Sequence, residues 1–169
     1  NHLEGKLSPV KFQRIDGGID ESIIDKSKEQ NILDKDGKTK SSKIADFVKK
    51  SLDINDLEVE AKSLTSNNIP GFIMINEESR RLRDYMHMTT GEDMTTQLPQ
   101  KQTFVINTNN KLIRHADKLA TKNPKIAKSI IKQVYDLAKL SQKEMKPSEI
   151  NDFVSRSNEM LESLLETNA

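Results

Sequence analysis

The sequence predicts an α+β fold: a small three-stranded sheet backed by helices and followed by a C-terminal helical pair. Three segments, at residues 57–64, 72–75 and 103–107, are short and either alternate or run continuously apolar, as strands do. Between and after them, apolar residues recur every three or four positions, which is the helical period. The order of these segments favours a sheet backed by helices, and then a helical lobe.

The first forty residues are predicted to be a tail and a linker. Residues 10–16 alternate imperfectly and indicate a short strand, whereas residues 17–42 are rich in charges and contain Gly17, Gly18 and Gly37. We therefore expect a domain boundary near residues 36–42. Residues 1–40 would precede the second domain, which would span residues 41–169.

Ser41 and Ser42 are predicted to cap the first helix of this domain, at about residues 43–52. The strand at 57–64 alternates apolar and charged side chains, so one of its faces should be buried. After a turn at 66–68, the strand at 72–75 is continuously apolar. Asn76 is predicted to cap a helix over residues 77–88, and residues 89–102 are typical of a loop.

The strand at 103–107 is followed by a predicted helix at 111–120, capped within residues 108–110 and ended by Asn123 and Pro124. The final pair of helices extends from about 124 to 166 and is separated at residues 143–147. Both helices carry apolar stripes, which include Ile130, Val134 and Leu137 in the first and Val154, Leu161, Leu164 and Leu165 in the second. One seam would not bury all of this surface, so the surplus must pack on the rest of the chain or on another copy.

Composition limits the function. Hydrophobic residues make up 34% of the chain and aromatic residues 4%, so the core should be modest and aliphatic. The 27 basic and 26 acidic residues nearly cancel, which argues against a protein built mainly to bind polyanions. The chain has no cysteine, which excludes disulfides and thiolate chemistry and suits a reducing cytoplasm. No apolar run approaches the ~20 residues of a membrane span.

No catalytic constellation is visible. The histidines are His2, His87 and His115, and none stands at metal-ligand spacing from another candidate ligand. Glycine-rich phosphate loops and nucleophile motifs are absent from the sequence. We therefore expect neither an enzyme nor a bound cofactor or metal in this chain.

Two surface features remain open. Arg80, Arg81 and Arg83 could join Lys111, Arg114 and Lys118 in a phosphate-binding patch, although acidic residues lie among them and no aromatic residues are interleaved. A solvated helix face is the favoured interpretation, and a helical nucleic-acid-binding module is the alternative.

The second feature is the methionine-containing face of the predicted helix at 77–88, which carries Leu82, Tyr85, Met86 and Met88. This face could pack on the sheet. Alternatively it could stay partly exposed and contact varied partners, for which flexible methionine side chains are suited.

The succession of segments resembles the C-terminal domain of HtpG, the bacterial branch of the ninety-kilodalton heat-shock chaperone family. The resemblance rests on LEVEAKSL, IPGFIMINEESRRLRDYM, QTFVINTNNKLI, YDLAKLS and FVSRSNEML, in that order. Upstream, FQRIDGGIDESIIDK and LDKDGKTKSSKIADFVKKSL resemble the end of the family's middle domain and the following junction. The specificity lies in the succession and not in any single motif.

The resemblance implies a module that holds two copies of a stress-related protein-folding chaperone together. The last two helices of each copy would form a four-helix bundle, with Ile130, Val134, Leu137, Val154, Leu161, Leu164 and Leu165 at the dimer interface. Leu82, Tyr85, Met86 and Met88 would contact unfolded client proteins. The family binds ATP and Mg²⁺ in domains that this chain would lack, so ATP hydrolysis, nucleic-acid binding and membrane binding are not expected of it.

Overall fold

The computed structural model describes residue 19 and residues 21–28, 37–75, 85, 88–89, 102–142 and 144–167. It confirms the predicted α+β class. The three strands are β1 (Leu57–Lys62), β2 (Gly71–Ile75) and β3 (Gln102–Asn107). The described helices are α1 (Lys40–Leu52), α2 (Lys111–Lys122), α3 (Pro124–Ser141), α4 (Pro147–Thr167) and a short 3₁₀ helix, Glu21–Ile23.

The strands form one mixed sheet with β3 at its centre. Strand β1 pairs with β3 in parallel, and β2 pairs with β3 in the antiparallel sense. Phe104 lies opposite Val59 on one side and Ile73 on the other. Because successive side chains point to opposite faces, this register places Val59, Ile73 and Phe104 on a common face.

Helices α1 and α3 cover that face, and α2 packs on α3. The core between sheet and helices is aliphatic apart from Phe104 and Tyr135, whose rings meet edge to face at 5.1 Å between centroids. Its buried members are Ile44, Val48, Leu52, Leu57, Ile73, Ile75, Phe104, Ile106, Ile113, Ala116, Ile131, Val134, Tyr135 and Ala138. Gly71 allows close approach of β2 and β3, because a Cβ atom there would lie 2.8 Å from the carbonyl oxygen of Val105.

The opposite face of the sheet is smaller. Phe72, Val105 and Leu64 form a second buried cluster, against which Ile19 and Met74 pack. Ile24 bridges to Leu64, and the segment is held by backbone hydrogen bonds between residues 23–25 and 63–65. Part of the predicted linker therefore packs beside the sheet, while the predicted domain boundary itself stays a prediction.

The start of α1 differs from its prediction. Thr39 is the N-cap, and its hydroxyl accepts a hydrogen bond from the backbone N–H of Ser42 at 3.1 Å. Ser41 and Ser42 lie within the first turn, so the predicted cap was wrong by two or three positions. The reason is that any Ser or Thr with extended backbone at the right place can cap a helix, and three such residues lie together here.

The other caps follow the sequence closely. Asn110 caps α2 by accepting a hydrogen bond from the N–H of Leu112 at 2.8 Å, and Asn123 caps α3 by accepting from Ile126 at 3.3 Å. Pro124 occupies the first turn of α3, where its missing N–H costs nothing. Strand β1 ends at Lys62, two residues before its predicted end.

Asn107, at the end of β3, organises the turn between β1 and β2. Its side chain is fully buried and makes four hydrogen bonds. The amide oxygen accepts from the N–H groups of Leu64 and Asn109, and the amide nitrogen donates to the carbonyl oxygens of Ser66 and Ile69, all at 2.7–3.1 Å. A single side chain thereby satisfies the backbone of a connection that lacks a partner strand.

Gln142 makes a similar contact at the outer edge of the sheet. Its amide oxygen accepts from the N–H of Ile73, and its amide nitrogen donates to the carbonyl of Ile73, both at 2.7 Å. Because β2 is an edge strand, these two bonds take the place of pairing with a further strand at that residue. They also tie the end of α3 to the sheet.

Several predicted features fall outside the described residues. These are the strand at 10–16 and most of the predicted helix at 77–88 and loop at 89–102. Within them, Tyr85, Met88 and Thr89 are described and helical, and the hydroxyl of Thr89 donates to the carbonyl of Tyr85 at 3.0 Å.

We expect Asn107→Ala to lower the free energy of unfolding by about 2–4 kcal/mol, because it strands several buried backbone groups. Urea denaturation followed by circular dichroism measures this. Asn109→Ala is the matched control, because the Asn109 side chain donates one described hydrogen bond, to Leu64. Equal losses in the two variants would contradict the role assigned to Asn107.

Candidate interaction surface

Helix α4 is long and poorly covered. Of its 21 residues, none from 147 to 166 is buried, and all side chains from 161 to 166 are exposed. Leu161 and Leu164 are each 60% exposed, and Leu165 is 73% exposed. Helices of globular proteins are stabilised mainly by burying an apolar face. The apolar face of α4 is left largely unburied by the rest of the described chain.

Helix α3 carries a second exposed apolar stripe beside α4. Ile126, Leu137 and Leu140 are 42–48% exposed, and the half-buried Ile130 lies between them. Ile126, Ile130, Leu137 and Leu140 are spaced by four, seven and three residues, which matches the alternating four-and-three seam of packed helices except that the position in between is the polar Gln133.

One predicted interface residue is corrected. Val134 is 2% exposed and belongs to the core between α3 and the sheet, so it has no surface to offer a partner. Val134 lies on the side of α3 that faces the sheet, roughly 60° around the helix from Leu137. Ile126, Leu140 and Ile150 are also exposed, and each lies three or four residues from a predicted interface position, a spacing that the sequence itself shows.

The contact between α3 and α4 is mostly polar. Lys139 forms an ion pair with Glu149 at 2.5 Å, Asp136 forms one with Arg156, and the side-chain amide of Gln133 donates to the hydroxyl of Ser157 at 2.8 Å. The contacts pair residues 139, 136 and 133 of α3 with residues 149, 156 and 157 of α4. Residue numbers fall along one helix as they rise along the other, so the two helices run antiparallel, as a hairpin. These contacts occupy the side of α4 on which Phe153 and Met160 are half-buried.

The two apolar stripes lie on the same side of this hairpin. Successive helical residues are about 100° apart, so the α4 stripe around Val154 and Leu161 lies roughly 100° from the side that faces α3. The α3 stripe around Leu137 lies roughly 90° from the side that faces α4, in the same rotational sense. Because the helices are antiparallel, equal rotations bring both stripes to one side of the hairpin, where they form a continuous face.

We call this the hairpin face. Its exposed members are Ile126, Leu137, Leu140, Ile150, Val154, Leu161, Leu164 and Leu165. At 42–73% exposure they leave on the order of 700 Å² of side-chain surface, close to the ~800 Å² that each partner contributes to a standard protein interface. The acidic residues Asp152, Glu159 and Glu166 recur at seven-residue spacing on another side of α4, so the centre of the hairpin face is uncharged.

The Lys139–Glu149 ion pair at the base of the hairpin shifts the pKa values of Glu149 and of the neighbouring Tyr135. Burial by itself raises the pKa of Glu149, but the hydrogen bonds from the Lys139 ammonium and from the N–H of Lys146 outweigh it, and the pKa lies below its ordinary value. Burial, together with the charges of Glu149 and Asp136, raises the pKa of Tyr135 to about 12. Tyr135 therefore stays neutral beneath the Lys139 ammonium, which lies 5.7 Å from its ring centroid.

The predicted client-contact residues are partly described. Tyr85 is 67% exposed and Met88 is 86% exposed, whereas Leu82 and Met86 lie outside the described residues. The two described side chains are therefore largely open to solvent.

The predicted basic patch is also partly described. Lys111, Arg114 and Lys118 lie exposed on α2, and Arg80, Arg81 and Arg83 lie outside the described residues. Residues 111–132 contain seven basic residues and a single acidic one, Asp117, in a chain that is nearly neutral overall. The exposed His115 directs a ring nitrogen to the carbonyl of Lys111 at 2.7 Å, while His2 and His87 lie outside the described residues.

In the part of the chain that the structure describes, no three Asp, Glu or His side chains come together in an arrangement that could bind a metal ion. None of the described helices has the long uncharged apolar stretch that is needed to cross a membrane. Neither models of known protein families nor curated proteins match this chain.

Acidification should loosen the hairpin. A lowered pKa in the folded state means that the contribution of Glu149 to stability is present above its unfolded pKa of about 4.3 and is lost as the pH falls through the folded value. We expect the thermal midpoint of the wild type to fall more steeply than that of Glu149→Gln between pH 5 and pH 3, as measured by circular dichroism. Parallel pH profiles would contradict this assignment.

Proposed function

We propose that this chain is a homodimerisation module, in which the hairpin faces of two copies pack across a two-fold axis to form a four-helix bundle. The observation that carries the proposal is the hairpin face itself: a continuous, uncharged apolar surface contributed by both helices of the hairpin. In a two-fold interface the same patch packs on its own copy, so one apolar face is sufficient for both partners.

The size and chemistry of the face favour a second copy over a smaller ligand. About 700 Å² of aliphatic side chain on each copy would bury ~1,400 Å² in total, within the range of stable protein interfaces. The largest apolar patch on a typical monomer is about 300–600 Å². Antiparallel helices that present stripes with four-and-three spacing on one side are the geometry from which four-helix bundles are built.

We further propose that the dimer joins two copies of a cytoplasmic molecular chaperone of the heat-shock protein 90 family. The support is the order of segments that resembles the C-terminal domain of that family, together with the exposure of Tyr85 and Met88, which lets them contact unfolded client proteins. In this proposal the chain contributes linkage and contact, and ATP binding and hydrolysis belong to other domains. Linkage raises the effective concentration of those domains toward each other.

The alternative is a nucleic-acid-binding module that uses the basic surface of α2 with the arginines near residue 80. The observation in its favour is that residues 111–132 contain seven basic residues and only one acidic residue. Such binding would weaken steeply with salt, because phosphate contacts release counterions. Detectable binding of duplex DNA or RNA at low salt, lost in Lys111→Ala with Arg114→Ala, would favour this alternative over the chaperone proposal.

We expect Leu161→Glu to raise the dimer dissociation constant by ~100-fold or more, because a charge buried without a partner costs about 3 kcal/mol or more. Sedimentation velocity at micromolar concentration measures this, and Leu164→Glu should behave alike. Ser155→Glu is the matched control, since it places the same charge on an exposed side of α4 away from the hairpin face. An intact dimer in both leucine variants would refute the proposed interface.

For client contact, we expect the double substitution Tyr85→Ser and Met88→Ser to reduce suppression of the aggregation of a chemically unfolded protein of known identity, by about threefold or more. Both side chains are exposed, so the loss reflects contact surface and not core packing. Light scattering reports aggregation, and sedimentation should show an unchanged dimer. Lys118→Ser, an exposed site on α2, is the control; equal activity in all three proteins would remove client contact from this segment.

A further inference from the structure

The hairpin face raises a physical question, because a single chain could bury much of it unaided. Along the chain, α4 is joined to α3 by the five-residue segment 142–146. If α4 moved around α3 by roughly a quarter turn and rotated about its own axis, Leu161 would meet Ile130 and the two stripes would cover each other. Such a closed hairpin would leave little apolar surface for a second copy.

Four polar side-chain contacts join α3 and α4 in the observed arrangement. At the base of the hairpin, Lys139 pairs with Glu149, whose carboxylate also accepts from the N–H of Lys146. Farther along, Arg156 pairs with Asp136 and also donates to the side-chain oxygen of Gln133. The Gln133 amide then donates to Ser157, and the Ser157 hydroxyl donates to the carbonyl of Phe153.

These contacts are directional and largely shielded from water. The side chains of Arg156 and Asp136 are each 18% exposed and that of Lys139 is 11% exposed, whereas that of Glu149 is 39% exposed, so the Arg156–Asp136 pair is the better shielded of the two. Partly buried ion pairs add little net stability compared with apolar packing, but separating such a pair leaves an uncompensated charge. The ion pairs therefore contribute more to the relative orientation of the two helices than to the strength of the contact between them.

We propose that this polar network, with the Arg156–Asp136 pair at its centre, is a positioning device that reserves both apolar stripes for a second copy of the chain. The inference rests on the proposed homodimer. Arg156 and Asp136 do not lie on the hairpin face; they act by fixing the rotation of α4 against α3. Gln133 links this pair to Ser157, so the network spans two turns of each helix.

The decisive experiment reverses one charge and then restores the pair. In Asp136→Arg, two cations meet and the observed orientation of α4 is disfavoured, so we expect the dissociation constant to rise at least tenfold while helix content is retained. In Asp136→Arg with Arg156→Asp, the pair is re-formed with its charges exchanged. The dissociation constant should then return to within threefold of the wild-type value, as measured by sedimentation equilibrium.

Asp152→Arg is the control, because it makes the same change of charge on an exposed part of α4 and should leave dimerisation unchanged. Should Asp136→Arg lose helix content, Arg156→Gln takes its place, since it removes the pair without placing two cations together. A folded variant lacking the pair that dimerises within twofold of wild type overturns the inference, as does a charge-exchanged variant that fails to recover. A monomeric wild type instead overturns the proposed function, so the two failures are distinguishable.

Discussion

The fold depends on the hydrogen bonds of one buried amide. Asn107 terminates the central strand. Three of its four hydrogen bonds hold backbone groups of the connection between β1 and β2, and the fourth is accepted from the N–H of Asn109. That connection lets a parallel strand and an antiparallel strand flank β3 in a sheet of only three strands. With the sheet so defined, Phe104 and Ile106 present a flat apolar surface, and α3 is positioned by packing on it.

Helix α3 has three distinct sides, which face the sheet, α4 and the solvent. One side carries small and aliphatic residues to the sheet, the second carries Lys139, Asp136 and Gln133 to α4, and the third carries the stripe that contains Leu137. The aliphatic residues of α3 are thus divided between the buried core and an exposed outer face. This division also places the outer face in a fixed relation to the core.

Elements were predictable from sequence where one local rule dominates. The period-two alternation located β1, the Asn110 side chain located the start of α2, and Pro124 located the start of α3. Side-chain environment was less predictable, because it depends on tertiary neighbours. Periodicity placed Val134 with Leu137 on one face, but the sheet covers the first and leaves the second exposed. The bonds of Gln142 to Ile73 and of Asn107 to Leu64, Ser66 and Ile69 join residues more than 35 positions apart and leave no local signal.

The amide of Gln142 has a consequence for how the molecule can aggregate. A bare edge strand invites strands from other molecules, and a small sheet has two such edges. At Ile73 the edge of β2 is closed by this side chain, and along β1 the residues Glu58, Glu60 and Lys62 place charges beside the other edge. Growth of the sheet by pairing with strands of other molecules is therefore hindered at both edges.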